Sequence, residues 1–163
     1  LIFAAKRNSD VTVLVHDNRS YSLTTGQFTP TSPVTFRGKS TPKGSPEDPM
    51  NPLALMLSAG ATFVARGYAG YTDHLKELIK RAILHRGFSF VNVLQPCVVF
   101  YNTYDLYNRL TYRLEDTDHD PGSYEEAYRR ALEWDYNRDD VRIPIGVFYE
   151  VEKPVYEERI LGC

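Results

Sequence analysis

Val11-Thr12-Val13-Leu14-Val15 is an almost unbroken β-branched and apolar run, the pattern of a strand buried on both faces of a parallel sheet. Leu1 to Arg7 before it reads as the last turns of a helix, with basic Lys6 and Arg7 at its C-terminal end and Asn8-Ser9-Asp10 as the break. The strand runs into polar His16-Asp17-Asn18. Residues 22 to 52 then lose all periodicity and fill with Thr, Ser, Pro and Gly, which predicts a long loop. Loops of this length in compact domains are usually functional or partner-facing.

Regular patterning resumes at Asn51, which can cap a helix with Pro52 at its first position and Gly60 as the stop. Thr62 to Arg66 reads as a short strand and Gly67 to Gly70 as a turn. Thr72 is placed to cap a helix whose Leu75, Leu78, Ile79, Ala82 and Ile83 recur at helical spacing, closed by His85-Arg86-Gly87. Phe88 to Leu94 is a second buried strand, ending in Gln95-Pro96-Cys97. This alternation predicts an α/β fold, a mostly parallel sheet with helices on both faces. Further on, Asn102 to Leu114 carries a Tyr-rich stripe that suits a helix or arm making contacts between subunits. Ser123 with Glu126 forms a capping box for a helix over 123–136. Pro144 to Tyr149 reads as a strand.

Composition narrows the classes. At 163 residues, 42% hydrophobic and 25% charged, the chain has the make-up of an ordinary globular domain. A net charge of -2 offers no basic face for nucleic acid, and no apolar run reaches the length of a membrane span. Two cysteines, Cys97 and Cys163, do not make a disulfide framework. The chain reads as cytoplasmic. With Leu at position 1 and a pattern under way at once, it also reads as a segment of a longer protein.

Two polar constellations fall at strand ends, His16 to Tyr21 and Gln95 to Cys97, where open α/β sheets bind ligands. Asp-Asn after a strand is by itself ordinary turn chemistry. Read as a whole, however, four blocks resemble, in order, the β subunits of 2-oxoacid:ferredoxin oxidoreductases. They are His16 to Pro33 (HDNRSYSLTTGQFTPTSP), Asn51 to Ala54, Gly60 to Gly67, and Leu94 to Cys97, with weaker similarity through His119-Asp120-Pro121 and Ile143 to Gly146.

The resemblance implies a thiamine-diphosphate-binding fold, with residues 1–103 as the C-terminal part of the cofactor domain and 104–163 as an extension making contacts to other subunits. It implies that Asn18 offers its side-chain oxygen, and Ser20 its backbone carbonyl, to the Mg²⁺ that bridges the diphosphate, a hard cation suited to oxygen ligands. Tyr21, Leu23 and Thr24 would also meet the cofactor, Leu23 as its apolar prop unless it is a plain core residue. Gly26 and Gln27 would line the same side. Cys97 would be the last of four thiolates on a [4Fe–4S] cluster, the other three lying upstream with a Gly-Asp-Gly segment. The implied activity is oxidative decarboxylation of a 2-oxoacid (pyruvate or 2-oxoglutarate) to an acyl-coenzyme A, with electrons leaving through the cluster to ferredoxin. An α subunit would complete the enzyme, and this segment alone would be inactive.

Two positions depart from the family pattern. Ser22 stands where the family has Gly, which would strain it if φ is positive there. Thr25 stands where some members carry Lys, so the substrate stays open. Two other readings remain: a non-oxidative thiamine-diphosphate enzyme, which has no use for Cys97, and a non-catalytic α/β assembly module, since fold alone does not fix function.

Overall fold

The computed structural model describes residues 1–162. Cys163, to which the sequence assigns no role, lies outside the described residues. The molecule is built around β3 (Phe88–Leu94), whose seven residues are all buried. It is flanked in parallel by β1 (Val11–Asp17) and by β2 (Phe63–Tyr68), as crossover connections require. Next to β2, β5 (Ile143–Glu150) runs antiparallel, and β4 (Thr111–Arg113) runs parallel to β5, giving the order β1-β3-β2-β5-β4. The mostly parallel sheet follows the expectation. So residues on both sides of position 103 share one sheet.

Helices cover both faces. On one, α1 (Ile2–Arg7), α2 (Pro52–Ser58) and α5 (Tyr124–Ala131) set Ala5, Leu53, Met56, Leu57, Ala127 and Ala131 against Phe88, Phe90 and Phe148. On the other, α3 (Thr72–Leu84) packs Leu78 and Ala82 onto Phe63, Ala65, Val91 and Val93. Each such Leu, once buried, contributes about 1.5–3 kcal/mol. The entry to α2 is held as its sequence predicts, with Asn51 Oδ1 accepting from the N–H groups of Leu53 and Ala54 at 3.1 Å. A cap of this kind is worth about 1 kcal/mol.

Several elements differ from the sequence expectation, each for a local reason. β1 is the edge strand of the described sheet, with Val11 and Leu14 exposed, so it is not buried on both faces. β2 starts at Phe63 and continues to Tyr68, two residues beyond the expected end, because β3 offers it backbone partners as far as Leu94. Tyr71, not Thr72, holds the N-cap position of α3. The stripe after Asn102 breaks into α4 (Tyr104–Leu110), β4 and a 3-10 turn (Leu114–Asp116). Its Tyr107 is fully buried and meets Trp134 edge-on at 6.1 Å, a core contact, while Tyr104 stays exposed. α5 stops at Ala131, five residues before the expected end. Trp134 and Tyr136 leave the helix and stack on each other at 3.9 Å over the carboxyl end of the sheet. The charged tail beyond β5 holds a further helix, α6 (Tyr156–Leu161).

Candidate functional site

The two polar strand tips lie on the same edge of the sheet. β1 and β3 pair in register from Val11↔Phe88 to Asp17↔Leu94, and Gln95 N–H donates to the Asp17 carbonyl at 3.0 Å. His16 Nδ1 and Gln95 Oε1 stand 3.0 Å apart, tying the tips together by their side chains as well.

Beyond Asp17 the chain turns sharply. The turn is built around Asp17, 5% exposed, whose carboxylate accepts from Thr31 Oγ1 at 2.6 Å, from Arg19 N–H at 3.2 Å and from Asn92 Nδ2 at 3.4 Å. Asn18 Oδ1 accepts from Ser20 N–H at 3.1 Å while its amide nitrogen donates to Ser22 Oγ at 2.6 Å. Arg19 takes a left-handed backbone, φ 54, which costs a non-glycine residue about 1 kcal/mol or more. Ser22 is not among the residues with positive φ, so the strain anticipated there falls on Arg19 instead.

What holds Arg19 in place is its side chain. The guanidinium is buried, donates from Nε to the Thr31 carbonyl at 2.9 Å and from Nη2 to the Tyr136 carbonyl, and lies 5.3–5.6 Å from the rings of Tyr101, Trp134 and Tyr136. A second buried guanidinium, Arg66 from β2, meets the same aromatic pair, 5.0 Å from Trp134 and 5.8 Å from Tyr136, and donates to Tyr136 Oη at 2.8 Å. Nothing in the residue pattern marks Arg19, Arg66, Trp134 and Tyr136 as one cluster. Charged residues are read as exposed by default, and only the fact that Trp134 is the chain's one tryptophan singles it out.

Asn18, Ser20, Tyr21, Leu23 and Thr24 all line a cleft of about 1050 Å³ between this turn, the long loop and α2. Leu23 is 100% exposed, which rules out a core role and leaves an apolar side chain standing free at the cleft. Thr24 Oγ1 donates to Gln27 Oε1, closing a small loop whose Gly26 has φ 73; a Cβ there would come within 2.7 Å of Phe100 Cγ. The remainder of the loop is ordered by hydrogen bonds such as Ser32 Oγ to the Arg19 carbonyl (2.7 Å) and Met50 N–H to the Pro30 carbonyl (2.7 Å).

Cys97 is partly buried and is not among the residues that line the cleft. Burial alone would raise its pKa, but the backbone N–H groups of Phe100, Val99 and Tyr101 converge on the sulfur, and the Ser20 hydroxyl faces it too. Together they hold the thiol at about 7, down from 9.0. Phe100 N lies 3.5 Å from Sγ. Ser20 Oγ is buried without any ordinary hydrogen-bond partner, as fits a hydroxyl turned to a sulfur atom.

These features fit the groups the sequence suggests. The Asn18 amide and the Ser20 backbone are neutral oxygen donors at a cleft with room for a diphosphate, and a sulfur ringed by N–H groups is made to be a thiolate. Cys97 is one ligand only. Among the described residues no group of three or more His, Cys, Asp or Glu side chains is placed to hold a metal, and no described helix is long and apolar enough to cross a membrane.

Comparison with known proteins agrees with this picture. Residues 1–93 match the model of the thiamine pyrophosphate enzyme C-terminal TPP-binding domain, and residues 97–163 match that of the C-terminal part of the pyruvate ferredoxin oxidoreductase β subunit. A 2-oxoacid:ferredoxin oxidoreductase β subunit from a Sulfolobus species is 45% identical over 98% of this chain and 55% of its own length. One from Aeropyrum pernix is 44% identical over 95% of this chain and 51% of its own. The solved 2-oxoglutarate:ferredoxin oxidoreductase of Magnetococcus marinus, with 2-oxoglutarate, coenzyme A and succinyl-CoA bound, superposes with a TM-score of 0.91 at 35% identity, over 99% of this chain and 54% of that one. The chain thus spans about half the length of the relatives it matches. It belongs to the 2-oxoacid:ferredoxin oxidoreductase β-subunit family, built on the C-terminal TPP-binding domain of thiamine pyrophosphate enzymes.

Proposed function

We propose that this chain is the part of a cytoplasmic 2-oxoacid:ferredoxin oxidoreductase β subunit that holds the diphosphate end of thiamine diphosphate on one strand tip and contributes one iron ligand from the next. The observation that supports this best is the shared edge of β1 and β3, which sets the Asn18–Ser20 turn beside Cys97, with the Ser20 hydroxyl facing its sulfur.

Each residue then has a task that follows from its surroundings. Asn18 Oδ1 and the Ser20 carbonyl would hold Mg²⁺, and their neutrality suits a site where the diphosphate brings the negative charge. Leu23, free of packing partners, would support the cofactor by apolar contact, with Tyr21 and Thr24 beside it. When bound, thiamine diphosphate supplies the electron sink that decarboxylation of a 2-oxoacid needs. Cys97, ionising near neutrality, would bind iron with little cost for losing its proton. The other three thiolates of a [4Fe–4S] cluster come from outside the described residues. An α subunit would close the cleft over substrate and coenzyme A, meeting the long loop (residues 25–50) and residues 104–163, and ferredoxin would accept the electrons. A non-oxidative thiamine-diphosphate enzyme has no use for the N–H groups gathered around the Cys97 sulfur.

The test is reduction of a viologen dye by the full α/β complex, dependent on both a 2-oxoacid and coenzyme A. Activity with pyruvate or 2-oxoglutarate supports the proposal and identifies the substrate; no activity with any 2-oxoacid overturns it.

A further inference from the structure

Ser20 belongs to both strand tips at once. It lines the cleft with Asn18, and its hydroxyl faces the sulfur of Cys97, a residue that does not line the cleft. The turn holds the side chain in that direction from both sides. Ser20 N–H donates to Asn18 Oδ1 at 3.1 Å, the Arg19 carbonyl before it accepts from Ser32 Oγ at 2.7 Å, and Tyr21 N–H after it donates to the Gln27 carbonyl at 2.8 Å. Ser20 is 3% exposed, and its oxygen is buried with no nitrogen or oxygen to bond. A hydroxyl so placed is costly unless it donates to something. The sulfur is fixed as well: Tyr101 N–H donates to the Cys97 carbonyl at 3.0 Å, and Phe100 N lies 3.5 Å from Sγ. An iron-bound thiolate has no proton of its own, so between these two atoms only the hydroxyl can donate.

We propose that Ser20 is a positioning residue for electron uptake, its hydroxyl donating a hydrogen bond to the iron-bound sulfur of Cys97 and raising the reduction potential of the cluster, an inference that rests on the function proposed above. The reasoning is electrostatic. A cluster that takes up one electron gains one negative charge, part of it on its thiolate sulfurs. A donor aimed at such a sulfur stabilises the reduced form more than the oxidised one, which moves the potential upward. No bond to Ser20 forms or breaks, and the proton stays on Oγ. The electron comes from the substrate in turnover and from dithionite in a titration. The backbone N–H groups of Val99, Phe100 and Tyr101 act in the same sense. Ser20 adds a side-chain donor to them, from the residue whose carbonyl would hold Mg²⁺.

The experiment measures the midpoint potential of the cluster in the assembled α/β complex, by dithionite titration followed with electron paramagnetic resonance. Ser20→Ala keeps the backbone carbonyl and removes the hydroxyl. Reduction should become about tenfold less favourable, which for one electron is a midpoint about 59 mV more negative. Ser20→Thr, which retains a hydroxyl, should stay near wild type, and Ser20→Val, the same shape without it, should shift as the alanine variant does. The Thr and Val variants decide the matter even where the alanine variant loads iron poorly, because their side chains differ only in the donor. Equal midpoints in wild type and all three variants would overturn the proposal. So would a shift in Ser20→Val matched by Ser20→Thr, which would assign the effect to packing at the turn. Cys97→Ala reports separately on the proposed function. Loss of the cluster from an otherwise assembled complex supports that reading, and a retained cluster overturns it whatever the Ser20 variants do.

Discussion

Replacing Arg19 should destabilise the chain in a way that separates its side chain from its backbone. The guanidinium is buried, donates to the Thr31 and Tyr136 carbonyls and lies against three aromatic rings. Hydrogen bonds from a charged donor contribute about 1.5–3 kcal/mol each, and the ring contacts add up to about 2. Against this stands the cost of desolvating the guanidinium, which a neutral replacement recovers in part. The balance is a loss of about 3 kcal/mol for Arg19→Ala. With a urea m-value of about 2 kcal/mol/M, the midpoint should drop by about 1.5 M. Arg19→Gly loses the same contacts but accepts φ 54 without strain, so it should be the more stable of the two by roughly 1 kcal/mol. Trp134, the only tryptophan, lies 5.3 Å from the guanidinium and reports the unfolding by fluorescence. An Arg19→Ala midpoint within ~0.2 M of wild type, which at that slope is under ~0.5 kcal/mol, or an Arg19→Gly variant weaker than Arg19→Ala, would refute the reasoning.

Three further outcomes follow from the same geometry. In cluster-free protein, the rate of Cys97 alkylation should rise with pH around a midpoint of about 7, and Ser20→Ala should move that midpoint upward; a wild-type midpoint at an ordinary thiol value contradicts the N–H cage. Gly26→Ala should cost about 2 kcal/mol or more, from positive φ and overlap with the Phe100 ring, and open the loop to proteases; unchanged urea unfolding and proteolysis would count against it. His85, held below its usual pKa by burial despite Glu150, Asp10 and Glu152, bonds Thr62 Oγ1 at 2.9 Å. Its unfolded form binds a proton first, so stability should fall as pH drops below about 6.5 and level off below the folded value. His85→Gln should flatten that slope in urea titrations, and an equally steep slope in the variant would exclude His85 as its source.

The elements legible in the sequence are those whose pattern has one physical solution. Phe88 to Leu94 is apolar but for Ser89 and Asn92 and reads as a buried strand, and Asn51-Pro52 announces a helix start whose cap bonds the structure then shows. The Asn18–Ser20 turn and Cys97 could be placed at strand ends, and a common edge follows once both strands are parallel neighbours. What the pattern did not carry is what depends on distant partners. Trp134 and Tyr136 leave the expected helix, because their stack and its contacts with two buried guanidiniums win over five more residues of helix. Arg19 and Arg66 carry no local sign of burial, since their partners lie 117 and 70 residues away. Three-residue β4 is too short for any period to show. The lowered pKa of Cys97 comes from backbone N–H groups, which every sequence has and only a fold can aim.

The most direct check uses magnetism across the edge joining the first and third strands. With Mn²⁺ in place of Mg²⁺ in the assembled enzyme, the spin at Asn18 and the reduced cluster at Cys97 should couple, broadening the cluster's electron paramagnetic resonance signal and speeding its relaxation. Asn18→Ala should abolish the effect while leaving the cluster intact. A cluster signal identical with Mn²⁺ and Mg²⁺, at full occupancy of thiamine diphosphate, would contradict the account.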